Sequence, residues 1–218
     1  MLAAAAFCLA QTRDAEFARL ADRYFDEVLF RYDPAQATQA GFHQYDQQLP
    51  NGSRAEVLAE IEALKKIEKE VDGFGTRGLS PSAAADRELL LGQIRSQLLT
   101  LDTLRIWEKN PDIYSSGVTT AVFVIMSRSF APPAERLKSA IAREKLIPRV
   151  FQSARENLVN PPRIYTEVAI EQLPGMVSFF ENDVPKAFAQ VKDAALVGEF
   201  KSANQKVIGA LKSYETWL

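Results

Sequence analysis

The stretch Ala121-Val122-Phe123-Val124-Ile125-Met126 is a run of apolar residues rich in Val and Ile, and its periodicity fits a buried strand as well as a buried helix. Its reading decides the fold class. A strand needs a neighbour to take up its backbone donors and acceptors, and the rest of the sequence offers no second strand candidate. The run is therefore read as a buried helix and the chain as all-α, an antiparallel, bundle-like array of helices in one layered domain. No fixed-period internal repeat supports a solenoid.

Helix signals surround this run on both sides. Upstream, Phe17, Leu20, Ala21, Tyr24, Phe25, Val28, Leu29 and Tyr32 recur at the three-and-four spacing of one broad helical stripe. Asp33-Pro34 ends it and opens a second, short helix, with Asp33 as cap, Pro34 in the first turn and Gly41 as the left-handed stop. Ser53-Arg54-Ala55-Glu56 reads as a capping box before the stripe Val57, Ile61, Leu64, Ile67 and Val71. Gly73, Gly75 and Gly78 make a flexible stretch up to Ser80-Pro81. The helix that opens there is predicted to run towards Trp107, and its Leu89, Leu90, Ile94, Leu98, Leu101 and Leu104 predict contact on more than one side.

Asn110-Pro111 closes that helix. Downstream, Pro132-Pro133, Pro148, Pro161-Pro162, Pro174-Gly175 and Pro185 divide the remainder into segments of helix length. The last of these carries Phe200, Ala203, Val207, Leu211, Tyr214 and Leu218 as a stripe up to the final residue, with no Gly, Asn or Pro stop beyond it. That pattern predicts a larger protein interrupted within an element.

Composition limits the chemistry. The 218 residues are 47% apolar and 25% charged, enough for a core without disulfides. Lys and Arg total 26 against 28 acidic residues, with no block of like charge, so nucleic acid is excluded as the expected partner. There is one His and one Cys, whereas zinc sites are built mainly from roughly three or four such side chains. A nucleophilic mechanism would depend on His43 as its base, and no G-x-S-x-G is present. The composition points away from a self-contained enzyme and from a metal or other cofactor held by this chain.

Residues 1–11 carry the apolar run Leu2 to Ala10 followed by Gln11-Thr12-Arg13-Asp14, and read as a truncated signal peptide without its basic region. The run is too short to span a bilayer, so no transmembrane segment is expected. Phe7 before Cys8 disfavours a lipid anchor there. The expected location is outside the cytoplasm, in the periplasm or beyond, with residues 12–218 forming the single helical domain.

The sharpest polar cluster is Gly41-Phe42-His43-Gln44-Tyr45-Asp46, which places an imidazole, a phenol and a carboxylate within four residues on a loop. Two readings are open. Either His43 and Asp46 bond backbone groups around a turn, or the cluster faces a cleft and contacts substrate. Arg128, Arg136, Arg143, Arg149 and Arg155 form either a cationic face for a carboxylate ligand or ordinary pairing with Glu135, Glu144 and Glu156. Glu167 and Glu171 lie one helical turn apart, a spacing that helix surfaces show routinely. Phe179-Phe180 and Trp217 are read as core, or as contact with further sequence.

The string Tyr32-Asp33-Pro34, Ala37-Thr38, Gly41-Phe42-His43-Gln44-Tyr45-Asp46 and Leu49-Pro50 resembles the N-terminal signature of the bacterial family catalogued as domain of unknown function 885. Arg128-Ser129-Phe130-Ala131-Pro132, Glu135-Arg136-Leu137, Ile147-Pro148, Ala154-Arg155-Glu156-Asn157-Leu158 and Ala169-Ile170 resemble the same pattern, in the same order. The resemblance implies a longer, all-helical, exported protein. Its C-terminal half would carry a His-Glu-x-x-Pro-Gly-His motif and a zinc ion for peptide hydrolysis. This sequence contains no such motif, so the resemblance makes it the N-terminal region, without catalytic residues or metal ligands. Its partners would be the C-terminal catalytic region and a peptide substrate, and His43, Tyr45 and Asp46 are the candidate substrate-binding residues on one wall of the groove. The alternative is a complete helical interaction module with no active site.

Overall fold

A computed structural model describes the backbone from Leu2 to Leu218 and the side chains from Thr12 onward. The side chains of residues 1–11, on which the export-signal reading rests, lie outside the described residues. Among the described residues every regular element is helical: α1 (Leu2–Arg23), α2 (Pro34–Ala40), α3 (Arg54–Phe74), α4 (Pro81–Leu98), α5 (Asp112–Ser127), α6 (Pro133–Asn157), α7 (Arg163–Ser178) and α8 (Ala194–Trp217). The ambiguous run Ala121 to Met126 lies inside α5, with Ala121, Val122, Val124 and Ile125 buried. The chain divides into two compact units, residues 1–29 with 57–105 and residues 30–56 with 106–218.

In the first unit the α1 stripe buries Phe17 and Leu20, and a π-helical turn (Tyr24–Leu29) continues it with Tyr24, Val28 and Leu29. The α3 stripe is the predicted one, Val57, Ile61, Leu64, Ile67 and Val71, all buried. Helix α4 opens on Ser80, whose Oγ accepts from the Ala83 N–H at 3.2 Å. It departs from expectation in two ways. It buries a single face, Ala83, Arg87, Leu90, Leu91 and Ile94, while Leu89 is 72% exposed and Leu104 is exposed too. It also stops before Trp107, because a π-helical turn (Leu99–Thr103) is followed by Arg105 at φ +51°, a left-handed conformation that no helix can propagate. Arg87 is buried because its guanidinium donates to the carbonyls of Val71 (2.9 Å) and Asp72 (2.7 Å) in the last turn of α3, the latter shared with the Gly75 N–H at 3.2 Å.

In the second unit α5 and α6 are antiparallel: Arg143 reaches the carbonyl of Ala121, and Arg136, one end of α6, reaches those of Ile125 and Met126. Helices α6 and α8 instead run parallel, since Lys145 pairs with Glu199 and Arg155 donates to Ser213 further along both. The return helix α7 makes this direction possible. Val122, Ile125, Leu137, Ile147, Phe151, Leu173, Phe180, Val207 and Leu211 fill the core between them, each contributing about 2 kcal/mol through burial. Pro148 and Pro174 do not divide segments as the sequence suggests; they sit inside α6 and α7. Both lie on exposed positions, where the lost backbone bond faces water and the packed face of the helix continues past it.

Candidate functional site

The cluster Gly41 to Asp46 is shaped by short-range rules. Asp33 caps α2 by accepting from the Gln36 N–H at 3.0 Å, with Pro34 in the first turn. Gly41 takes φ +92°, and the Phe42 N–H returns to the Ala37 carbonyl at 2.9 Å, so the chain reverses at once. A tight turn (His43–Tyr45) follows, closed by the Asp46 N–H on the His43 carbonyl at 3.2 Å. This three-residue spacing brings the two side chains together, with His43 Nδ1 lying 3.1 Å from Asp46 Oδ2.

Asp46 is only 4% exposed. Its other oxygen, Oδ1, accepts from the Thr38 hydroxyl at 2.7 Å. Arg143 Nη2 in turn donates to Thr38 Oγ1 at 2.8 Å, to Pro34 O at 3.0 Å and to Tyr45 O at 3.3 Å, while its Nη1 donates to Ala121 O. A hydroxyl has one proton to give. Because Arg143 occupies an acceptor lone pair of Thr38, and because the carboxylate is closer than Pro34 O at 3.0 Å, that proton goes to Asp46. The result is a line of donors running from Arg143 through Thr38 to Asp46, with His43 donating from the other side. Burial lowers the Arg143 pKa to about 10, partly offset by Asp46 and Asp33, so the guanidinium remains a cation at neutral pH.

A carboxylate only accepts, so in the neutral ring the His43 proton sits on Nδ1 and Nε2 is left as an acceptor. Nε2 has no partner among the described residues, and the side chain is 40% exposed. The imidazole lies flat on Phe130, with centroids 3.9 Å apart and planes at 14°. Phe130 is placed by the turn between α5 and α6. Arg128 ties this turn to Gln39 O at 2.6 Å, and Arg136 holds it through Ala131 O at 3.1 Å and the last carbonyls of α5.

Of the three residues picked from sequence, His43 presents a ring edge outward and Asp46 lies buried behind it. Tyr45 packs its partly buried ring 5.7 Å from Phe30 and offers its carbonyl to Arg143. The arginines depart from both sequence readings. Arg136 and Arg143 are buried and neither pairs with Glu135, Glu144 or Glu156: the Nε and Nη1 of Arg136 and both Nη atoms of Arg143 donate to main-chain carbonyls and Thr38, while Arg143 Nε is buried without a partner. Thr38 and Arg143 are the members that sequence reasoning missed. The only local signal for Arg143 is its place beside the apolar positions Ile141 and Ile147 on the same helix.

Among the described residues no three or more His, Cys, Asp or Glu side chains are grouped to hold a metal ion. His43 and Asp46 are bonded to each other, and the zinc implied by the family resemblance does not fit the donors present, so no chemical step is derived through it. Among the described residues no helix is long and apolar enough to cross a membrane.

Fold and site together define an all-α protein with an exposed imidazole held by a buried carboxylate. The chain belongs to DUF885, a family of bacterial proteins of unknown function whose profile matches residues 34–218. It is similar to a solved structure from Shewanella oneidensis, described as a candidate lipoprotein of unknown function, at 25% identity and a TM-score of 0.82. The match covers 92% of this chain but 36% of that one, so the chain spans little more than a third of that relative's length. No curated protein matches.

Proposed function

We propose that this chain is the N-terminal, substrate-groove-forming region of a longer, exported, zinc-dependent peptidase-like hydrolase, and that it has no activity alone. The observation that carries this reading is the His43 ring, fixed by Asp46 through Nδ1 and stacked on Phe130 so that Nε2 is free to accept. An acceptor beside an apolar wall suits a peptide, whose backbone N–H can donate to Nε2 while a side chain lies along Phe130. Asp46, Thr38 and Arg143 act as positioning residues behind it. Family membership, the greater length of the Shewanella relative and its description as a candidate lipoprotein support a longer, exported protein. The zinc ion, expected in the C-terminal region of that longer protein, would supply a polarised water for attack on the peptide carbonyl.

The test is made in the longest product of the gene, with peptide turnover and substrate affinity measured for the His43→Ala variant. Affinity should fall about tenfold, the value of one good hydrogen bond to a bound ligand, with turnover at saturation less affected. Unchanged affinity and turnover would remove His43 from the groove. Peptide cleavage by the 218-residue chain with added zinc would contradict the reading of this region as inactive alone.

A second reading, an interaction module without chemistry, is favoured by α7. That helix buries only Ala169, Leu173 and Val177 and leaves Ile164, Tyr165, Val168 and Ile170 exposed. Peptide binding without turnover in the longest gene product would decide for it.

A further inference from the structure

Along α8, in the second unit, Val197, Phe200, Lys201, Asn204, Gln205 and Ile208 recur at intervals of three and four and so share one face. That face lines an open groove of about 550 Å³, a size within the roughly 300–1,000 Å³ of small-molecule sites. The floor is buried and apolar, made by Phe200 and Ile208 together with Leu137 on α6 and Phe188 in the connection before α8. Pro185 and Val191, from the same connection, add further apolar surface. At a rise of about 1.5 Å per residue, the stripe from Val197 to Ile208 spans about 16 Å of helix. Apolar surface of that length gains from being covered by an apolar chain.

Charge is distributed unevenly along the groove. Beyond its Ile208 end, Lys212 Nζ holds the lining carboxylate of Glu181 at 2.8 Å. Asn204 is 6% exposed, with Nδ2 donating to Phe180 O at 2.8 Å and Oδ1 buried without a donor, so it brings the groove no charge. Nearer the Val197 end stands Lys201, which is exposed and has no hydrogen bond or ion pair among the described residues. The Arg136 guanidinium, 5.7 Å from the centroid of the Phe188 ring, adds positive charge behind that wall. An apolar length of helix with one unpaired ammonium near one end fits a ligand with an unbranched apolar body and a single terminal anion. We propose that the groove binds an aliphatic monocarboxylate, with its chain along Phe188, Phe200, Ile208 and Leu137 and its carboxylate on Lys201 Nζ. The groove shares no residue with the His43 cluster.

The probe is decanoate, titrated into the whole chain and followed by the backbone amide resonances in NMR, with decanol and decyltrimethylammonium as its neutral and cationic counterparts. Decanoate should bind with a Kd of about 1 mM or tighter and shift the amides around Lys201. Lys201→Glu should weaken decanoate about tenfold, because attraction becomes repulsion, and leave decanol binding unchanged. Ala189→Trp places a large ring at an exposed position of the lining and should abolish the binding of decanoate and decanol alike. Absence of decanoate binding in the millimolar range, or equal affinity for the three probes, would overturn the proposal. Decanoate binding that neither substitution changes would place the ligand elsewhere and overturn it too. A chain that dimerises, and becomes monomeric in Ala189→Trp, would give the groove to a second copy and overturn it.

Discussion

Helix α6 buries two ionisable side chains in succession, and its two faces treat them in opposite ways. Towards α2 and α5, Arg143 meets three main-chain carbonyls and the Thr38 hydroxyl, with Asp46 one bond further on, so the charge is kept and organises a surface imidazole. The next residue, Glu144, meets no donor, and burial raises its pKa. Burial is nearly equal on the two sides, at 0% exposure for each residue. The difference lies in chemical complementarity: helix ends and loops present carbonyls that a cation can satisfy, whereas the N–H groups along a helix interior are already bonded and offer an anion nothing.

The largest expected effect comes from removing the cation whose Nη atoms are bonded. Arg143→Leu leaves Asp46 buried without its cationic support and strips several carbonyls of their donor, and should cost about 3–5 kcal/mol in urea unfolding. A loss below about 1 kcal/mol would mean that this face is no better satisfied than the Glu144 face. Next is Thr38→Val, which keeps the shape but removes the relay between Arg143 and Asp46. It should cost about 2 kcal/mol and loosen the His43 ring, seen as averaged ring resonances in NMR.

Gly41→Ala tests the local turn alone. At φ +92° any side chain is strained, although nothing lies within 4 Å of an added Cβ, so the expected loss is about 1 kcal/mol of stability with the tertiary network intact. The smallest effect belongs to exposed pairs. Arg163→Ala, which removes the α7 surface contact with Glu167, should change stability by less than about 0.5 kcal/mol, and less still at high salt.

What could be read in the sequence was what short-range rules determine. The cap at Asp33, the helix start at Ser80-Pro81, the left-handed Gly41 and the helical state of Ala121 to Met126, buried except at Phe123 and Met126, follow from residue type and immediate neighbours. The turn carrying His43 and Asp46 was legible too, but not their bond to each other in place of bonds to backbone groups. The capping box at Ser53 was legible except in its second half, since Glu56 bonds the N–H of Gly52 at 2.7 Å. What could not be read depended on distant partners. Thr38 and Arg143 are 105 positions apart in sequence, and an arginine flanked by a glutamate looks like a surface pair until the opposing carbonyls are in place. Leucines on α4 show how much apolar surface exists but not which side has a neighbour, and Pro148 shows a lost donor but not that it points to solvent.

The central claim is that a buried carboxylate fixes the His43 ring with Nδ1 protonated and Nε2 free to accept. The chain has a single histidine, so its ring nitrogens can be observed without ambiguity by ¹⁵N NMR of the neutral imidazole. The account predicts the Nδ1–H tautomer in the wild-type protein and its loss in Asp46→Ala. A ring that carries its proton on Nε2, or one whose tautomer is unchanged in Asp46→Ala, would contradict it.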